Sequence, residues 1–169
     1  MSEATKSNRN ENFVKFVIER ITQKDNGAVA ALKRADNPAT EYQSWEYLAR
    51  FVDIDKSYER LPFATIGSAI AKAKVEQNGT VRIGQAIARC YEDGKECDQA
   101  KAKLRRLLAC ETVEEVCRVL RPLFSLINSK GNISLDYISL LNDLRYYNQH
   151  VKSRWAQDFY RHYELEDNA

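Results

Sequence analysis

The chain has 169 residues, and its 26 Lys and Arg against 24 Asp and Glu leave a formal net charge of only +2. This overall balance does not indicate a nucleic-acid partner, so only a local concentration of basic residues could do so. A hydrophobic content of 44% is enough for one core or two small bundles, while 6 Gly and 3 Pro do not suit a turn-dense all-β protein.

The first part of the chain predicts a tail followed by a helical bundle. Residues 1–11 are polar and rich in Asn and Ser, so they are predicted to be a disordered tail. Residues 12–94 are predicted to form an N-terminal helical bundle, because short apolar stripes at helical spacing alternate with turn signals. The expected apolar faces of its first and third helices comprise Phe13, Phe16, Val17 and Ile21, and Tyr42, Trp45, Leu48, Ala49 and Val52.

The second part, residues 95–163, is predicted to form a C-terminal helical bundle, and residues 164–169 an acidic tail. Its clearest signal is a capping box, in which Thr112 and Glu115 satisfy backbone N–H groups at the start of a helix. Pro122 predicts a kink in that helix. One helical face of it carries Val113, Val116, Cys117, Leu120, Leu123, Phe124 and Ile127.

No segment shows sustained alternation of period two, so no sheet is expected. The predicted fold class is all-α, with eight or nine short helices in two small packed bundles. The N-terminus lacks the apolar region of a signal peptide, and no run reaches membrane-spanning length. A cytoplasmic protein with reduced thiols is therefore expected.

The sequence offers little material for catalysis or metal binding. The two histidines, His150 and His162, are twelve residues apart, and the four cysteines are spaced Cys90-x6-Cys97 and Cys110-x6-Cys117. Neither pattern matches structural zinc, and no catalytic or phosphate-loop motif occurs. We therefore expect no enzyme activity, no metal and no cofactor.

Several segments, in the same order from about residue 25 to residue 160, are similar to the CasB family, the small subunit of the type I-E CRISPR Cascade complex. The most specific is LDYISLLNDLRYYNQHVKSRWAQDFY, with a Leu-Asp-aromatic start, a central pair of aromatics and then basic residues. The other matching segments are DNGAVAALKRAD, IGQAIA and KLRRLLACET.

The resemblance implies a non-catalytic subunit that contacts guide RNA and target DNA and helps to hold the displaced strand. Its implied partners are other Cascade subunits, the nucleic acids and a second copy of itself, with no membrane. Two departures concern basic positions: Gln85 replaces a frequent Arg, and Gln149-His150 replace a Lys-Arg pair. The basic positions that match the family are Lys33, Arg34, Arg60, Lys103, Arg121 and Lys152.

The local charge pattern adds three further candidates for nucleic-acid binding, Arg105, Arg106 and Arg154. The main alternative is an all-α protein–protein scaffold or adaptor whose basic residues only solvate its surface. A helix-turn-helix regulator is a third, weaker hypothesis, because no recognition helix follows a tight turn. Whether basic residues from separate helices share one surface decides between the first two.

Overall fold

A computed structural model describes residues 3–166 of the chain, and side chains over residues 8–161. Within that range the only β feature is an isolated bridge between Val81 and Leu135, so the all-α prediction is confirmed. Two short 3₁₀ segments, Glu41–Ser44 and Gly94–Glu96, accompany the helices. The helices are α1 (Glu3–Thr22), α2 (Asn26–Lys33), α3 (Trp45–Leu48), α4 (Ser57–Ala73), α5 (Ile83–Arg89), α6 (Asp98–Leu108), α7 (Val113–Lys130), α8 (Tyr137–Arg145) and α9 (Gln149–Glu166).

The helices group into two compact units, and the division is not where the sequence placed it. Unit 1 consists of the described part of Met1–Asn78 together with Tyr137–Arg145. Unit 2 consists of Gly79–Asp136 together with the described part of Tyr146–Ala169. The predicted boundary between residues 94 and 95 instead falls inside unit 2. The reason is that α8 joins the earlier helices and α5 joins the later ones.

Helix α4 forms the centre of unit 1. Every residue from Pro62 to Ala71 is buried, and the helix packs against α1, α2 and α8. The ring of Phe13 meets the edge of Phe63 at a centroid distance of 4.9 Å. Such edge-to-face aromatic pairs add to the free energy gained from apolar burial.

The start of α1 differs from the disordered tail predicted for residues 1–11. The helix begins at Glu3, and residues 1 and 2 lie outside the described part of the chain. Asn10 is completely buried, and its side-chain amide donates to the side-chain oxygen Oδ1 of Asn142 in α8. Arg145 Nη1 in turn donates to Asn10 Oδ1 at 2.8 Å. These long-range hydrogen bonds hold a polar segment that composition alone assigns to disorder.

The third predicted helix is replaced by a 3₁₀ turn and the single turn of α3. Glu41 is buried at 6% exposure, while the predicted core residues Tyr42 and Trp45 are 59% and 38% exposed. A 3₁₀ turn advances a side chain by about 120° rather than 100° per residue, which changes the face that is buried. Leu48 and Val52 are buried as predicted. The prediction is wrong for Tyr42 and Trp45, because the buried ion pair of Glu41 with Arg60 sets the register of the 3₁₀ turn.

Unit 2 contains α5, α6, α7 and α9. The capping box at the start of α7 is present: Glu115 N donates to Thr112 Oγ1 at 3.2 Å, and Thr112 N donates to Glu115 Oε2 at 3.5 Å. The preceding Glu111 N also donates to Glu115 Oε2, at 2.7 Å. The helix continues through Pro122 and ends at Gly131, whose φ of 75° is left-handed. Val116, Cys117, Leu120, Leu123 and Ile127 are buried, as the stripe predicts.

The last helix, α9, supplies the largest buried side chains of unit 2, Trp155 and Phe159. Val151 is buried on the same face, in agreement with the predicted stripe. The helix runs to Glu166, so the first residues of the predicted acidic tail are helical. Residues 167–169 of that tail lie outside the described part of the chain.

Candidate nucleic-acid interface

In unit 1, two of the predicted basic residues lie side by side at the end of α2. Lys33 is the last residue of the helix, and Arg34 is its C-cap. Cations at this end are favoured by the helix dipole. Arg34 is exposed, with Nη1 donating to Gln43 Oε1 at 2.9 Å, and Lys33 is half-buried. The structure therefore brings this pair together on the surface of unit 1.

Arg60, the third predicted residue of unit 1, is engaged in the interior. Its Nε lies 3.0 Å from Glu41 Oε2, and the two side chains are only 19% and 8% exposed. Its Nη1 donates to the carbonyl oxygen of Ile54 at 2.5 Å, and its guanidinium lies 5.6 Å from the Trp45 ring centroid. A phosphate would have to displace a buried carboxylate to bind here, which would leave that charge without its partner.

In unit 2, helix α6 carries three predicted residues on two different faces. Ala100, Leu104 and Leu107 form its buried face. Lys103 and Arg106, three residues apart, flank this face on one side, whereas Arg105 lies about 100° away from Arg106 around the helix. Within the described part of the chain, these three cations form no salt bridge or side-chain hydrogen bond.

The side of α6 that carries Lys103 and Arg106 borders an open depression of about 350 Å³. Gln99 and Ala102 continue the same helical side, because the four residues follow the i, i+3, i+4, i+7 spacing. Tyr91, just after α5, forms the other wall. Burial raises the pKa of the Tyr91 hydroxyl, and the nearby Cys90 and Cys97 raise it further.

A second group of cations surrounds the junction between α6 and α7. The Cys110 thiol is buried there, and burial raises its pKa, with Glu115 adding to the effect. The charges of Lys152, Arg106 and Arg118 oppose this rise. These three cations therefore come from α9, α6 and α7 to one region of unit 2.

Of the α9 candidates, Lys152 is largely covered. Its side chain is 14% exposed, with Nζ 3.9 Å from Glu111 Oε1 and 5.7 Å from the Tyr147 ring centroid. The Tyr147 hydroxyl donates to the carbonyl oxygen of Cys110 at 2.6 Å, and burial raises its pKa to about 12. Lys152 thus also has a structural role. Arg154, the other candidate of α9, is half-buried.

Helix α7 contributes two exposed arginines, Arg118 and Arg121, which are three residues apart and lie outside the buried stripe. Arg121 was predicted from the sequence as a contact residue, whereas Arg118, Tyr91 and Gln99 were not. The spacing from Gln99 to Lys103 and Arg106 is a signal that could have identified one wall of the depression. The position of Tyr91 depends on how α5 packs against α6, which no local pattern reveals.

Within the described residues, no group of three or more His, Cys, Asp or Glu side chains is placed to hold a metal ion. The helices in that part of the chain are also too short or too polar to cross a membrane.

The chain has the same fold as several solved structures. A chain of a "CRISPR RNA-guided surveillance complex" is 21% identical, with a TM-score of 0.75, over 96% of this chain and 97% of that one. A Cse2-family protein from Thermus thermophilus is 21% identical, with a TM-score of 0.72, over 95% and 99%. CasB of M. ruber is 22% identical, with a TM-score of 0.72, over 95% and 97%.

The sequence itself matches the profile of the CRISPR-associated protein Cse2 family over residues 28–160. This match spans most of the chain, so the chain belongs to the Cse2 family. No curated protein sequence matches it significantly.

Proposed function

We propose that this chain is the non-catalytic small subunit of a type I-E CRISPR Cascade complex. In this role it contacts the guide RNA and target DNA and stabilises the displaced strand during antiviral defence. The observation that carries the proposal is the family match over residues 28–160. The similarity of fold and length to a chain of an RNA-guided surveillance complex supports it.

The basic surfaces of both units suit such a role. A subunit along a guide-paired duplex needs contacts to phosphates, which position the nucleic acid without reading its sequence. The exposed residues Arg34, Arg105, Arg106 and Arg121 and the half-buried Lys33 and Lys103 lie on rigid helices or helix ends. These six carry the proposed phosphate contacts. Arg60 acts mainly within unit 1. Lys152 is only 14% exposed and pairs with Glu111, and the Nε of Arg154 is buried, so these two contribute less.

The near-zero net charge leaves other faces of the chain for protein contacts. The proposed protein partners are the other Cascade subunits and a second copy of this chain, in the cytoplasm. Large exposed aromatic side chains in unit 1, such as Tyr42 and Tyr58, at 59% each, are of the type enriched at protein interfaces.

The alternative is an all-α scaffold whose basic residues serve only its own fold and solvation. The engagement of Arg60 with Glu41, and of Lys152 with Glu111, favours this alternative for those two positions. It does not account for Lys103, Arg105 and Arg106, for which the described residues supply no ion-pair partner.

Co-purification from the native host tests the proposal. The tagged chain should recover CRISPR effector subunits together with a guide RNA, and an unrelated protein with the same tag should recover neither. Recovery of effector proteins and guide RNA that both persist through a salt wash supports membership of the complex. Recovery of neither effector subunits nor guide RNA would contradict the proposal.

A further inference from the structure

The depression beside α6 combines an aromatic wall with two cations. Tyr91 is half-buried, so part of its ring is accessible, and its hydroxyl forms no hydrogen bond with a described residue. A tyrosine hydroxyl is protonated at neutral pH, so no phenolate charge repels a phosphate here. The opposite wall presents Lys103 and Arg106, separated by one turn of α6.

The volume of the depression limits what it can hold. About 350 Å³ is near the lower end of the range for small-molecule sites, so one nucleotide fits better than an extended ligand. Ala102, which also lines the depression, has a small side chain that takes up little of this volume. Gln99 places an amide, which both donates and accepts hydrogen bonds, at the rim.

We infer that this depression binds one unpaired nucleobase of a single strand, stacked on Tyr91, with Lys103 and Arg106 on the adjoining phosphates. Every base has a π-face, so stacking of this kind tolerates any sequence. A base inside a duplex is covered by its neighbours and cannot stack on a protein ring. The site therefore favours a single strand, and the inference rests on the proposed function, in which the displaced strand is the source of that ligand.

Two oligonucleotides separate stacking from charge. The full-length chain is titrated at low salt with a short oligothymidylate and with an abasic oligonucleotide of the same length and charge. Tyr91→Ala should weaken binding of oligothymidylate on the order of 5- to 100-fold, the effect of losing one base–aromatic stack. It should leave the abasic oligonucleotide unaffected, because that ligand has no base to stack.

Three further variants complete the test. Tyr91→Phe keeps the ring and should bind oligothymidylate like the wild type. Tyr160→Ala removes an exposed tyrosine of α9 that does not line the depression, and it should change neither affinity. Arg106→Gln should weaken both oligonucleotides alike and lower the salt dependence, because a phosphate contact does not require a base. Thermal unfolding of each variant establishes that Tyr91→Ala remains folded, and Tyr91→Leu replaces it where it does not.

Equal weakening of both oligonucleotides by Tyr91→Ala would overturn the inference, as would normal oligothymidylate binding by that variant. Absence of binding by the wild-type chain at low salt would also overturn it. None of these results bears on co-purification with effector subunits, so the proposed function can survive them. Failure of co-purification together with base-dependent binding at Tyr91 would instead leave a single-strand-binding protein outside that complex.

Discussion

At the scale of single residues, the surroundings of an arginine decide what it does. Arg34 and Arg60 belong to the same unit and were selected by the same resemblance. Arg34 is exposed and shares one hydrogen bond with Gln43, whereas Arg60 contacts Glu41, Ile54 and the Trp45 ring. A phosphate can reach the first without cost to the fold, but not the second.

Arg60→Ala should therefore destabilise the protein strongly. The substitution leaves the Glu41 carboxylate, at 8% exposure, without its cation, and the expected loss in the free energy of unfolding is about 3 kcal/mol. Urea denaturation measures it. Lys56→Ala, which breaks an ion pair with Asp53 whose side chains are about half exposed, should cost below about 1 kcal/mol. Similar losses for both variants would mean that Arg60 does not stabilise unit 1 through Glu41.

At the scale of helices, the close approach of α5 and α9 depends on Gly84. A Cβ atom at this position would lie 2.2 Å from the carbonyl oxygen of Trp155 and 2.9 Å from Phe159 N. Both are backbone atoms, so no side-chain rotation relieves the overlap. The two helices could accept a side chain here only by moving apart.

Gly84→Ala should thus lower the free energy of unfolding by about 2–3 kcal/mol, at the upper part of the range for overpacked sites. Gly27→Ala is the matched control, because its Cβ would meet only Asp25 Oδ1, at 3.9 Å, in the first turn of α2. That change should be neutral or stabilising, by up to about 1 kcal/mol. Denaturant unfolding measures the stability of both variants. An unchanged free energy of unfolding for Gly84→Ala would contradict the close approach of α5 and α9 at this position.

The capping box of α7 gives a pH-dependent prediction. The backbone N–H groups of Glu111 and Thr112 donate to Glu115 and hold the pKa of its carboxyl below the usual 4.5. A lowered pKa in the folded state means that the carboxylate stabilises the fold at neutral pH. This contribution is lost as the pH falls below 4.5 and through the folded-state pKa.

Glu115→Gln should therefore be less stable than the wild type at neutral pH, and the difference should shrink in acid, below the folded-state pKa. Urea denaturation measures the free energy of unfolding of both proteins at neutral pH and in acid. The difference between the two proteins at each pH cancels the titration of the other carboxyls. Thr112→Ala should lose about 1 kcal/mol at both, since a hydroxyl cap does not titrate. A difference for Glu115→Gln that stays constant with pH would contradict the role of its charge.

The same helix shows how much of the fold the sequence predicted. The cap and the apolar stripe lie within eighteen residues, so local spacing was enough to identify α7 and most of its buried face. The segment around Glu41 was predicted less well, because its ion-pair partner Arg60 comes from a different helix, α4. Where a buried polar contact sets the register of a helix, the spacing of its apolar residues does not predict which face is buried.

At the scale of the whole molecule, the sequence missed how distant segments combine. Asn10 is hydrogen-bonded to Asn142 and Arg145, more than 130 residues away, so α8 completes unit 1. The candidate site shows the same limit. The basic residues of α6 were apparent from charge, but Tyr91 reaches them only through packing in unit 2. Local patterns identify which residues are basic, and tertiary contacts decide which remain available.

The last prediction concerns both units within the assembled complex. If Arg34 of unit 1 and Arg121 of unit 2 contact phosphates, each contact releases counterions when target binds. The logarithm of affinity should then fall with that of salt by about 0.9 per contact on duplex and about 0.7 on a single strand. Replacing both by Ala should flatten the slope by about 1.4 to 1.8, alike for unrelated targets.

The control for this experiment removes the same charge elsewhere. Lys15 and Lys56 are exposed in unit 1, each in a salt bridge on the surface, and neither is a candidate contact. Their double substitution by Ala should leave the slope nearly unchanged, because long-range effects of exposed charges are screened by salt. Target binding is measured over a series of salt concentrations for the wild type and both double variants. Equal slopes for all three would assign Arg34 and Arg121 to solvation of a scaffold, whereas a change confined to the arginine pair would assign them to the nucleic acid.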